Sequence, residues 1–183
     1  MTETATATPE EVVAFWRNAG PSRWYRKDDA FDSEFRERFL RTHEAAARGE
    51  LDGWISSAQG ALALCILLDQ FPRNAFRGNA RMFATDAKAR EVARFAIDAG
   101  FLPQVDEDLQ QFFVMPFMHS ESLADQDLCV QLAAGLKTDT SRYAEMHRDI
   151  IRRFGRFPHR NTALGRVTTP EEQRFLDEGG FSG

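Results

Sequence analysis

Lysine is scarce in this 183-residue chain, with Lys27, Lys88 and Lys137 set against twenty arginines. Positive charge is therefore carried by planar forks suited to two-pronged ion pairs and anion capture rather than by mobile ammonium groups. Cysteine is rarer still. Cys65 and Cys129 fall inside apolar helical patterns, which excludes a disulfide framework and a thiolate metal site and makes both small buried apolar residues. The longest apolar run, Ala61 to Leu68, is eight residues, where a bilayer span needs about 20. The N-terminus lacks the basic-then-apolar order of a secretory leader, so a cytoplasmic address and no membrane partner are expected.

A net positive charge is also missing: the formal charge is −5 and the pI near 5.4, which argues against a protein that coats nucleic acid over its whole surface. The charge is uneven, however. Arg142, Arg148, Arg152, Arg153, Arg156, Arg160 and Arg166 face only Glu145 and Asp149 along their stretch, so RNA contact through a basic C-terminal helix stays open as a minor alternative.

The familiar catalytic words are absent as well. No Gly-x-Ser-x-Gly elbow and no Gly-x-x-x-x-Gly-Lys phosphate loop occurs, which removes the commonest serine-hydrolase and nucleotide-binding signatures. His43-Glu44 starts a metalloprotease word that fails at Ala47, and His119-Ser120-Glu121 starts a zinc-deaminase word without the Pro-Cys-x-x-Cys that completes it. Glu145 and His147 are two apart, so on a helix they do not share a face as a di-iron pair does. The sequence names no metal site; one would have to be assembled from His119, Glu121, His147 and His159. No cofactor is specified.

What is present is helical periodicity. Thr8-Pro9-Glu10-Glu11 and Thr169-Pro170-Glu171-Glu172 are matching capping boxes on proline starts. Between them the pattern predicts a helix capped by Asp32 and ended near Gly49, and a short piece over Leu51 to Ile55. It predicts an all-round apolar central helix ended by Pro72, and a helix from Asn79 to Ala99 with Met82, Phe83, Val92, Phe95 and Ala96 inward. It further predicts helices from Asp106 to Pro116, from Ser120 or Ser122 to Gly135, and from Asp139 to Phe154. About eight helices with short joints make an all-α single domain over residues 1–183, a layered αα superhelix, with residues 1–7 and 179–183 expected as flexible ends. The sixteen phenylalanines fit a core; Trp16, Trp24, Tyr25 and Trp54 are candidate groove-liners.

One word occurs twice. Phe71-Pro72-Arg73-Asn74 closes the apolar helix and Phe157-Pro158-His159-Arg160-Asn161 closes the basic one. Together with Phe31-Asp32 through Phe39, Gly49-Glu50-Leu51-Asp52-Gly53-Trp54, Leu67-Leu68-Asp69-Gln70, Phe76-Arg77-Gly78, Pro116-Phe117-Met118-His119-Ser120-Glu121, Asp125-Gln126 and His147-Arg148-Asp149-Ile150-Ile151, it makes the chain resemble the bacterial family called domain of unknown function 924. The resemblance runs from about Phe15 to Leu176. It implies an all-helical, tetratricopeptide-like fold and a cytoplasmic protein, and it supplies no reaction.

The candidate chemistry gathers at the two corners. Asp69 ends the most apolar helix, where a carboxylate needs a cationic partner. It joins His119, Glu121 and His159 as a candidate proton-transfer group. Gln70, Arg73, Asn74, His147, Arg153, Arg160 and Asn161 are candidates for holding a small anionic ligand or an acidic peptide. Helical stacks present concave surfaces, so a binding module is the first expectation and an enzyme with a non-standard acid–base or metal-assisted site the alternative. A plain structural clasp between Asp69 and the corner arginines is the competing explanation. The oligomeric state is left open by the sequence.

Overall fold

Helix α1 (Pro9–Ala19) opens as its sequence dictates. Thr8 Oγ1 accepts from the Glu11 N–H at 3.3 Å and the Glu11 carboxylate accepts from the Thr8 N–H at 2.8 Å, which satisfies two donors that a helix start leaves unpaired. The same reciprocal box, built from Thr169 and Glu172, opens α10 (Pro170–Asp177). Between them come α2 (Pro21–Trp24), α3 (Asp29–Ala47), α4 (Ala58–Cys65), α5 (Phe71–Ala75), α6 (Asp86–Asp98), α7 (Gln111–Met118), α8 (Leu123–Ala133) and α9 (Thr140–Phe154). The computed structural model describes residues 6–183; among them the fold is all-α, without strands, and no helix is long and apolar enough to cross a membrane. The expectation for the N-terminal end falls on residues 1–7, of which 1–5 lie outside the described residues; the Ala7 N–H donates to Thr42 Oγ1 at 2.9 Å.

Helix α4 is the centre. Ala61 to Leu68 are buried throughout, and α1, α6 and α7 pack on α4 while α8 and α9 continue outward from α7. An aromatic block of Phe15, Trp16, Trp24, Phe31, Phe35, Phe39, Phe71 and Phe112 fills the other side. Trp16 and Trp24 are thus core residues, and Trp24 Nε1 donates to the Trp16 carbonyl at 2.7 Å. Among the four proposed groove-liners only Tyr25 is well exposed, with Trp54 half-buried.

Pro72 does not end the central helix. The chain makes one π turn, Ile66–Gln70, and continues into α5. Proline has no N–H and its ring crowds the carbonyl four residues back, so the ladder shifts: the Phe71 N–H bonds to the Ile66 carbonyl. The carbonyls this shift releases find side chains. Leu67 receives His43 Nδ1 at 2.8 Å, and Leu68 receives the Thr85 hydroxyl at 2.6 Å. A buried backbone acceptor has to be paired, and the π turn stands where α3 and the residue just before α6 can supply the donors.

Other boundaries also moved. Asp28, not Asp32, caps α3 by accepting from the Phe31 N–H at 3.1 Å. Asp32 lies one turn further in and takes Asn74 and Arg77 instead. Asn79 caps only a 3-10 turn, Ala80–Phe83, because Thr85 and Asp86 are drawn to the π turn and restart the helix there. Phe95, expected inward, is 45% exposed. The helix expected from Asp106 begins at Gln111, and Pro116 lies inside it, in a segment buried on all faces where packing overrides local propensity.

Gly60 supplies a direct test of this packing. An added Cβ would lie 2.0 Å from the Trp54 carbonyl oxygen, so Gly60→Ala forces α4 away from the Asp52–Ser56 turn. It should cost roughly 1–3 kcal/mol or more by overpacking, read as a lowered melting temperature; an unchanged one would mean this contact is not held in solution.

Candidate functional site

The π turn delivers Asp69 into the core at 1% exposure. Three side chains meet its carboxylate: Gln70 Nε2 donates to Oδ2 at 2.7 Å, His119 Nδ1 lies 2.7 Å from Oδ1, and Arg73 Nη1 lies 3.3 Å from Oδ1 while donating to the Asp69 carbonyl at 2.8 Å. Arg73 also forks onto Asp86, with Nη1 to Oδ1 at 2.8 Å and Nη2 to Oδ2 at 2.9 Å. Asp86 stands in the first turn of α6, so the fork ties that helix to the π turn. Removing one partner of such a buried pair leaves an uncompensated charge.

His119 stands at the end of α7. Its backbone carbonyl accepts from Arg160 Nη2 at 2.7 Å, which brings the second corner to the first. The Arg160 side chain is 8% exposed, lies 3.7 Å from Asp86 Oδ2, and keeps its Nε buried without a hydrogen-bond partner among the described residues. The guanidinium centres of Arg73 and Arg160 both rest within reach of the Phe83 ring, at 5.6 and 4.6 Å, where a cation is attracted to the ring face.

Burial alone would raise the Asp69 carboxyl, but His119, Arg73 and the Gln70 hydrogen bond hold it well below the ordinary carboxylate range. Burial, then Arg73, pushes the His119 imidazole down against the upward pull of Asp69. The pair is therefore a carboxylate beside a neutral imidazole. A carboxylate can only accept, so Nδ1 carries the hydrogen and Nε2 keeps its lone pair. Nε2 makes no hydrogen bond to a described residue, and the side chain remains 16% exposed. Arg160 is pulled down to about 10, first by burial and then by Arg73, as befits a guanidinium short of negative charge.

The remaining candidates divide into three groups. His147 and His159 lie beside the dyad: the His119 and His147 rings are 6.4 Å apart, and the Phe181 ring sits between His147 and His159. Glu121 turns away to a separate network. It accepts from both terminal nitrogens of Arg166 and from the Phe157 N–H, while Asn161, fully buried, bonds Arg166 and Glu172, and Glu172 takes Arg156. Asn74 faces the opposite way and donates to Asp32 at 2.7 Å; Arg153 lies on the surface against Glu171 at 3.1 Å. Among the described residues, no three His, Cys, Asp or Glu side chains are grouped as a metal ion requires.

Asp86, Phe83 and Phe181 belong to this neighbourhood and were not legible as such. Asp86 looks like any acidic residue in a first helical turn, and Phe181 stands among glycines where order was not expected. The seven C-terminal arginines are largely engaged: Arg148 and Arg152 reach Asp127, Arg153 reaches Glu171, Arg156 reaches Glu172, Arg166 reaches Glu121, and Arg160 is buried.

The chain is similar to known proteins in two comparisons. A family model described as a bacterial protein of unknown function (DUF924) matches residues 12–180. The solved structure of a protein of unknown function from Agrobacterium tumefaciens is 53% identical, with a TM-score of 0.91, covering 93% of this chain and 97% of that one. No curated protein matches.

The buried imidazoles make stability depend on pH. His147 is pushed to about 4, by burial first and then by His119, and His159 to about 3, by burial first and then by Arg160. Unfolded, both titrate near 6.5. Below that value the unfolded chain binds protons that the folded chain refuses, so stability is complete above pH 6.5 and falls as pH drops toward 4. His147 contributes on the order of 3 kcal/mol to that fall. The melting temperature should decline over this window, and His147→Gln should flatten the decline; an equally steep curve in the variant would contradict the assignment.

Proposed function

The chain belongs to the bacterial family of unknown function DUF924, and from the geometry around Asp69 we propose that it is an acid–base enzyme acting on a small anionic substrate. The observation that carries this reading is the 2.7 Å contact from His119 Nδ1 to Asp69 Oδ1, made by a side chain that still reaches solvent. His119 Nε2 takes a proton from the substrate and returns it in a later step. Asp69 does not touch the substrate; it fixes the tautomer and stabilises the imidazolium as it forms. Arg160 receives the anionic group, and Arg73, locked by Asp86, holds the dyad in place.

A second reading is an anion-binding module without turnover. It is favoured by Arg160, whose buried Nε has no acceptor among the described residues, so the cation is prepared for a negative ligand that these residues do not supply. RNA contact is less well supported, because the arginines that would grip phosphates are mostly paired with carboxylates.

Calorimetry with sulfate, which carries no titrating proton near neutrality, separates these readings. Measured at pH 7 in two buffers of different ionisation enthalpy, sulfate should bind the native protein with uptake of up to one proton, because an anion beside His119 raises its pKa. His119→Gln should bind sulfate without proton uptake. Arg160→Met should weaken binding about tenfold or more, and Arg160→Lys, which keeps the charge, should weaken it less. Binding without proton uptake in the native protein would favour the module; sulfate binding that ignores both Arg160 variants would overturn the site.

A further inference from the structure

Phe181 fills an aromatic slot beside the dyad. Its ring centroid lies 4.6 Å from that of His147 and 5.2 Å from that of His159, in tilted and edge-on contact. Phe157 backs both imidazoles at 5.5 and 5.7 Å, and the Arg160 guanidinium lies 4.6 Å from the Phe157 ring. His147 is shared: one neighbour is Phe181, another is His119 at 6.4 Å. Burial keeps both slot imidazoles uncharged, so they meet a ring through their aromatic faces and edges rather than as cations.

The segment that carries Phe181 is lightly held. Gly179 adopts φ +83°, and a Cβ at Gly180 would lie 2.5 Å from the Phe175 carbonyl oxygen, so glycine is required at both positions to seat the ring. The last hydrogen bond before the ring is Gly180 N–H to the Phe175 carbonyl at 2.9 Å, and among the described residues Phe181 to Gly183 make none. Beyond Phe181 lies a groove of about 550 Å³ that Phe181 helps to wall, together with Arg142, Arg153 and Phe175. The ring therefore touches two imidazoles and also borders open space into which it can move.

We propose that Phe181 stands in for part of the substrate: the site takes an anion that bears an aromatic ring, and Phe181 withdraws from between His147 and His159 as that ring enters. The anionic group goes to Arg160 beside His119, and the ring goes to the slot across the shared His147. This rests on the acid–base reading of the dyad, which it narrows to aryl-bearing anions. Phe181 is then an internal competitor, and the apparent affinity for such a ligand is reduced by the fraction of molecules whose slot is filled.

Benzenesulfonate and methanesulfonate, equal in charge and different in the ring, test this by calorimetry. Benzenesulfonate should bind Phe181→Ala about tenfold or more tighter than the native protein, while methanesulfonate binds both alike. As a second measurement that needs no truncated side chain, 4-fluorophenylalanine placed at position 181 should shift its fluorine resonance toward the solvent-exposed value on adding benzenesulfonate and not on adding methanesulfonate. If methanesulfonate binds in an Arg160-dependent way but Phe181→Ala leaves benzenesulfonate unchanged and the label does not move, the slot proposal is wrong and the anion site stands. If neither sulfonate binds in an Arg160-dependent way, the anion site itself fails and the slot proposal with it.

Discussion

A carboxylate ionised inside an apolar helix must be matched by cations and donors, and the need to satisfy Asp69 arranges much of this molecule. Asp69 calls Arg73 from the next turn, Arg73 calls Asp86 from α6, and His119 arrives from the end of α7 with Arg160 on its backbone carbonyl. Segments far apart in the chain are thereby joined at one point. Stability alone does not account for the arrangement, since a buried ion network can often be replaced by apolar residues of similar volume at little or no cost. What the network provides that an apolar core cannot is an imidazole of fixed tautomer, with one nitrogen bound to a carboxylate and the other left open.

The twin Phe-Pro corners show how one sequence word can serve two structures. The first continues an α-helix through a π turn, and its Asn74 reaches back to Asp32 on α3. The second is a 3-10 turn, and its Asn161 is sealed among Arg166, Thr168 and Glu172. Only the arginines converge, through Asp86 and the Phe83 ring. The asparagines hold each corner in shape from opposite sides, and Glu121 anchors the second corner by accepting from the Phe157 N–H. The corners share a site without sharing a local conformation.

Much of this was legible in the residues. The helical period, the two capping boxes, the central apolar helix and the family resemblance fixed the all-α class, and the requirement that Asp69 meet a cation pointed at Arg73. The π turn was not legible, because Pro72 reads as a helix stop unless the released carbonyls of Leu67 and Leu68 are known to find His43 and Thr85. Nor was Asp86, whose role depends on α6 passing the π turn at one height. Phe181 was hidden by its glycines, which read as slack and instead permit a close approach to Phe175. The common cause is tertiary: each of these residues takes its meaning from a partner distant in the chain.

The dyad is the link between fold and chemistry, and its protonation state can be observed directly. Nitrogen-15 NMR of the His119 ring at pH 7 should show a neutral imidazole with hydrogen on Nδ1 and a bare Nε2, shifted by Asp69→Asn. A ring protonated on both nitrogens, or one carrying its hydrogen on Nε2, would mean that Asp69 does not prepare His119 to accept a proton, and the functional account built on it would be wrong.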